Sequence, residues 1–573
     1  MLSIKRLLQL IAITVFIGVA FLILTIDHNT SNFEGKNIYS GIKLELLSNK
    51  IPPNVNNENY LVVSNSKDKS EIAISKNIID TLNSMKKSVN LSRSITQKDL
   101  TSKPIIIFAV AQVSRCVEMG LISNYISAGG RVLFAAGIPE GYLDSYLDPV
   151  WGIIEKGNRI AVNNFEIASG FLPYPAVTAD FKGGNSSTII KLGVNTKIYM
   201  KSSDQLPLVY SSTFNNVKTV IINGTLLQEK YSSGIFCAAL GVLNDDMIYP
   251  TIGTKSIFLD AFPPIANVND TRSSELYGRS TEAFLRDILW PELLANLTQH
   301  DLKYTATILS VLPESYDINT INKRLFTYAF REIISRKGEV IMAGDHSKEN
   351  NFDITQLDKA QAFVKSVFKN YVINGYAVLY GNPNEKVLNS VTTEFDGAKI
   401  INGVLNGDPK TQLTHDFGAD AQYVYVPTAS NGFSIKNGTN FDFLSILTSK
   451  GVVSHSFNIE SLLKASFSNT SWDDVKIDYE ELDTKFFEKT PWLKPATISE
   501  AANNVKAYSA LKMSILNSQS EIDVYCDNFM KNQTFYLRSE KQIKQITGAK
   551  YTKISDVYYQ VTAETPNFSI IFK

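Results

Sequence analysis

The chain has 573 residues, 44% of them hydrophobic and 20% charged, with 56 Lys+Arg against 56 Asp+Glu. That length allows roughly three or four domains with sizeable cores. A net charge of zero argues against a bulk nucleic-acid binder, which needs a basic excess to neutralise phosphates.

Lys5 and Arg6 precede Leu7 to Ile26, a run of 20 uncharged residues. About 20 apolar residues are what a helix needs to cross the hydrocarbon core. The reading is a transmembrane anchor over residues 1–27, with the cations cytoplasmic and the bulk of the chain extracellular. A cleaved signal peptide is the alternative, but the run is long for one and Leu24-Thr25-Ile26 offers no small-x-small site. Residues 28–59 are polar, with Pro52-Pro53 and many Asn, and read as a linker. Cys116, Cys237 and Cys526 are too sparse for a disulfide framework or a zinc ribbon.

From Tyr60 apolar strands alternate with helices. YLVVS, PIIIFAV and GGRVLFAAG read as buried strands, and Ile72–Met85 and Val117–Ile126 as helices between them. Continuous apolar strands of this kind belong to a parallel, doubly wound sheet. Thr188 to Tyr210 alternates and reads as a β insertion. KTVIINGTLL and SGIFCAALGVL supply a last strand and helix, closing a domain at residues 60–254. The arrangement resembles the glutamine-amidotransferase sheet. Cys116 nevertheless lacks the glycine-flanked elbow of those enzymes, and Cys237 lies inside an apolar helix.

A second α/β set spans 255–514. KSIFLDAF, LKYTATILSV, EVIMAGDH, GYAVLYGNP, AKIINGVL, QYVYVP and GVVSHSF read as strands separated by helices, which suggests a (β/α) barrel. Residues 515–573 alternate polar with Tyr, Phe, Ile and Val, as in EIDVYC and FSIIFK, and read as a small antiparallel β domain. The fold class is therefore α/β, with an anchor, a doubly wound domain, a barrel and a C-terminal β domain.

Asp260, at the end of KSIFLDAF and before Pro263-Pro264, stands where barrels place chemistry. Among the five histidines, His346 and His455 share with it a predicted place at or near a strand's C-terminal end. FLDAFPPI, EVIMAGDHSKEN, YGNPNEKVLNSVTTEF, GVVSHSF and TPWLKPAT together resemble a polysaccharide deacetylase domain. More narrowly, the whole chain resembles a membrane-anchored bacterial family with amidotransferase-like and deacetylase-like domains, associated with Pel-type exopolysaccharide clusters.

The resemblance implies a catalytic-base role for Asp260 and a late-histidine role for His455. It also implies loss of the metal site. Ala261 stands where the metal-binding aspartate belongs, Ala343 and Ser347 fall on the histidine pair, and Asn382-Pro383 lacks its usual arginine. No metal and no cofactor are expected. The implied partners are an exopolysaccharide and polysaccharide synthase or export subunits, with the membrane reached through the N-terminal helix. Two alternatives stay open. One is an active carbohydrate hydrolase, a deacetylase or a glycosidase pairing Asp260 with Asp345 or Glu314. The other is a solute-binding surface receptor.

Overall fold

The computed structural model describes residues 44–52, 58–263, 270–311, 323–347, 354–368, 371–394, 399–405, 407–433, 439–463 and 471–573. The apolar run Leu7–Ile26 lies outside them. Among the described residues no helix is long and apolar enough to cross a membrane.

The first domain is built on a nine-stranded sheet. Five parallel strands lie in the order Ser88–Ser92, Asn59–Val63, Ile105–Phe108, Val132–Phe134, Val217–Ile222. Ile105–Phe108 is buried throughout, as a strand covered on both faces must be. Helix Lys69–Ser84 starts at Asp68, whose carboxylate accepts the Ser70 and Glu71 N–H groups. Four antiparallel strands extend the sheet beyond Val217–Ile222. This insertion begins at Ile153, well before the expected Thr188. Its first strand, IIEKGNRIAVNNFEI, is polar and largely exposed, so apolar alternation is too dilute there to mark it. Cys116, Cys237 and Cys526 are free and buried.

The second sheet has ten strands. Thr254–Asp260, Tyr304–Val311, Glu339–His346, Gly375–Gly381 and Ile400–Asn402 run parallel in that order, and Val452–Asn458 lies on the other side of the first. The stretch from Val424 to Asn431 joins the two edges. Val424 and Tyr425 pair with Ile400 and Ile401, Thr428 bridges Val404, and Ser430 and Asn431 pair with His455 and Ser456. The sheet thereby curls into a barrel. Its inward face carries Phe258, Ile341, Ala343, Ala377 and Val424, packed with helix Ile498–Ala510. That helix plugs the barrel's N-terminal end. The Ile498 N–H donates to Thr305 Oγ1, and the Ser499 N–H to Glu339 Oε2. Chemistry is therefore left to the opposite, C-terminal end.

The C-terminal domain is a sandwich of two four-stranded antiparallel sheets around Val524, Phe535, Val561 and Ile570. Two segments from elsewhere join it. Met247–Thr251, ahead of the barrel, pairs with Gln533–Arg538. Leu47, within the expected linker, exchanges backbone hydrogen bonds of 2.7 and 2.9 Å with Phe529. The end of that segment is thus docked.

The barrel leans on the first domain through helices Thr439–Lys450 and Ser233–Asn244. At Gly234 a Cβ would come within 2.6 Å of Ser445 Cα and O. Gly234→Ala is expected to force the helices apart and destabilise the chain by about 1–3 kcal/mol. Thermal unfolding checks this, and an unchanged melting temperature would refute the close packing.

Candidate functional site at the barrel mouth

Side chains along a strand alternate between faces. Phe258 belongs to the inward core and Ile257 and Leu259 to the outward one, so Asp260 faces inward at the barrel's C-terminal end. Its register partner is Asn458. The Asp260 Oδ1 and Asn458 Oδ1 atoms are both buried without a hydrogen-bond partner. Burial pushes the Asp260 carboxyl up to about 7, and the hydroxyls of Ser456 and Thr307 only partly offset this. The Asn458 amide donates to Tyr380 Oη at 2.6 Å. Tyr380 in turn feels the charges of Glu460, Asp260 and Asp345. The Asp345 carboxylate accepts the Ser347 N–H and hydroxyl at 2.9 and 2.6 Å.

Ala261 is buried in the left-handed region at φ +53°, and its N–H donates to Thr307 Oγ1 at 3.0 Å. Asp tolerates that conformation better than Ala. The backbone there suits the carboxylate that the chain lacks.

The two histidines lie elsewhere. His455 pairs with Ile257, so it shares the outward face, opposite to Asp260. Both its ring nitrogens are satisfied. Nε2–H donates to Gly432 O at 2.8 Å, and Nδ1 accepts from the Ser430 hydroxyl at 2.7 Å. His346 packs beneath Gly344 on the outward side, with Nε2 2.8 Å from Tyr376 Oη. The structure therefore does not bring Asp260 and His455 together. It brings Asp260 to Asn458, Ser456 and Thr307. Sequence reading missed these three, although Ser454-x-Ser456-x-Asn458 puts small polar residues at alternate positions of an apolar strand. Of the candidate second carboxylates, Asp345 is on the mouth and Glu314 lies outside the described residues.

Deacetylase barrels imply a divalent metal held by Asp and His. The donors beside Asp260 here are hydroxyls, an amide and a phenol, and the nearest histidines turn to the other face. Among the described residues no group of three or more His, Cys, Asp or Glu is placed to hold a metal ion. The described residues at the mouth do not fit the group.

Burial holds His346 and His455 down at about 4. Their unfolded value is near 6.5, so between those pH values the unfolded chain binds more protons and stability falls as pH drops. Each histidine is expected to contribute up to roughly 3 kcal/mol to that loss. Urea unfolding at pH 7 and pH 5 measures it, and His455→Gln should flatten the slope. A slope unchanged in that variant would contradict the assignment.

Residues 42–559 match the bacterial family described as "Uncharacterised protein conserved in bacteria (DUF2194)". The chain belongs to that family. Among solved structures it is similar to Agd3, described as a novel carbohydrate deacetylase. The TM-score is 0.54 at 10% identity, covering 90% of this chain and 99% of that one. At that identity the likeness is one of fold. Partial likenesses include a ThuA-like protein from Bacteroides uniformis, at TM-score 0.26 and 10% identity over 33% of this chain and 89% of that one. Another is the β-galactosidase of Bacillus circulans, at TM-score 0.25 and 10% identity over 35% and 34%. No curated protein matches the sequence.

Proposed function

We propose that this chain is a membrane-tethered, extracytoplasmic protein of exopolysaccharide synthesis or export, of the Pel-like type. Its barrel mouth binds polymer and does not perform metal-dependent hydrolysis. One observation carries the reading. Asp260 faces inward at the mouth among Asn458, Ser456 and Thr307, while Ala261 stands at the metal carboxylate's place and both nearby histidines turn away. The Agd3-like fold supports a carbohydrate as the ligand class. The uncharged run Leu7–Ile26 supports the tether. Synthase or export subunits are the partners this placement implies.

A hydrolase reading has one observation in its favour. Asp260 and Asp345 both stand at the mouth, two strands apart, or about 10 Å between strand axes. That is near the spacing of an inverting glycosidase pair.

The test is a deletion strain assayed for surface polysaccharide, together with purified protein incubated with acetylated amino-sugar oligomers and zinc. Loss of polymer without acetate or reducing-end release is expected. Unchanged polymer in the deletion strain, or stoichiometric zinc with acetate release, would overturn the proposal. Reducing ends that vanish in Asp345→Asn would establish the glycosidase instead.

A further inference from the structure

We infer that two copies of this chain pair through the outer strand of the first domain, Ser88–Ser92, and join their sheets about a two-fold axis. The pairing is independent of what the barrel mouth binds.

Ser88–Ser92 ends the nine-stranded sheet, and among the described residues it pairs on one side alone, with Asn59–Val63. Successive residues of a strand turn their backbone groups to opposite sides. The Ser92 carbonyl turns inward and accepts the Ser64 N–H at 2.9 Å. Val89 and Leu91 therefore aim their N–H and C=O groups outward, away from the sheet. Such an edge is a template for another strand, and proteins blunt it with charges or bulges. Other edges of this molecule are blunted in that way. The edge strands Val177–Leu192, Lys512–Asn517, Ile543–Thr547 and Ala549–Lys553 carry the exposed Lys191, Lys512, Lys544 and Lys550. Register shifts also interrupt the pairing of the first and third. Ser88–Ser92 has the sequence SVNLS, with no charge, no proline and an unbroken register.

The strand fits its own copy. An antiparallel pair centred on Asn90 sets Val89 opposite the partner's Leu91, and Leu91 opposite the partner's Val89. The outward backbone groups of these residues then face each other and exchange N–H···O bonds. Val89 and Leu91 lie on one face, so apolar side chains meet apolar ones across the axis. Leu91 is 60% exposed, and the pairing covers it. No charge within the strand meets its own image, which would be repulsive. One patch paired with itself about a two-fold closes as a dimer and grows no further. The two Asn90 residues stand opposite each other as a non-hydrogen-bonded pair, with Cα atoms about 4.5 Å apart.

That separation suits a disulfide, and the native cysteines Cys116, Cys237 and Cys526 are buried. The experiment compares the full chain in detergent with Leu91→Lys, Asn90→Cys and Val194→Cys. The wild type is expected to sediment as a dimer. Leu91→Lys should sediment as a monomer, with thermal unfolding showing a folded chain. Under mild oxidation Asn90→Cys should form an intermolecular disulfide roughly tenfold faster than Val194→Cys, whose position is 98% exposed and off the axis. Adding Leu91→Lys to Asn90→Cys should remove that advantage. A wild type that stays monomeric at every concentration overturns the inference. So does a dimer that survives Leu91→Lys, or Asn90→Cys cross-linking no faster than Val194→Cys.

Discussion

Asp260→Asn is expected to stabilise the barrel at pH 8 by roughly 4 kcal/mol while weakening polymer binding at the mouth. The carboxyl is pushed up to about 7 by burial, against about 3.9 in an unfolded chain. Between those values the folded chain binds one more proton than the unfolded chain. Stability therefore falls as pH rises from about 4 to about 7, and the full penalty is present above that. Each pH unit of displacement is worth about 1.4 kcal/mol, which sets the scale. Asparagine has nearly the same shape, keeps an oxygen for the Ser456 and Thr307 hydroxyls, and carries no charge to desolvate. Urea unfolding of wild type and variant at pH 5 and pH 8 measures the effect. The variant should lose the downward slope and exceed wild type by distinctly more at pH 8 than at pH 5. Equal pH profiles would mean that Asp260 is not desolvated. A gain in stability paired with a loss of binding is what a residue retained for function produces.

Glu339→Ala is expected to destabilise the chain by about 3–5 kcal/mol, the largest loss foreseen for a single substitution here. Glu339 is fully buried at the closed end of the barrel. Its carboxylate accepts the Ser499 N–H at 3.0 Å and the Ser499 hydroxyl at 2.5 Å, and Asn374 approaches at 3.4 Å. Burial raises its pKa and these donors oppose the rise. It sits at the first turn of helix Ile498–Ala510, where a negative charge meets the helix's positive end. Removing it strands buried donors at the point where the plug helix enters the barrel. Glu339→Gln keeps an acceptor and should cost distinctly less. Thermal unfolding of the three proteins separates the cases, and an alanine variant as stable as the glutamine one would show that Glu339 does not hold the plug.

Much of this architecture was legible in the amino-acid order. The runs at Ile105–Phe108 and Thr254–Asp260 form the strands they predict, and Asp260 ends its strand as its position before Phe262-Pro263 suggests. The site was legible only in half. An acid at a strand end is visible in sequence, and so is the alanine after it. His455 looked equally placed because GVVSHSF is apolar throughout and gives no sign of which side faces in. Pairing with Ile257 settles that, and it puts the imidazole among Phe457 and Phe486 instead of in the mouth. Asn458 escaped notice because a single Asn at the end of a strand has no spacing partner.

By itself the sequence determined the local periods: apolar runs that must be strands, helical spacing between them, and the chemistry available at FLDAFPPI. Hydrophobic periodicity acts over a few residues, so it is written in consecutive positions. Tertiary structure alone decided which face of each strand points into the barrel. It alone made Val424–Asn431 join the two edges of the sheet, sent Met247–Thr251 to the C-terminal sandwich, and docked Leu47 against Phe529. These depend on pairing between segments up to several hundred residues apart. Such pairing is set by which surfaces are left to bury once the elements exist, and no window of neighbouring residues records it.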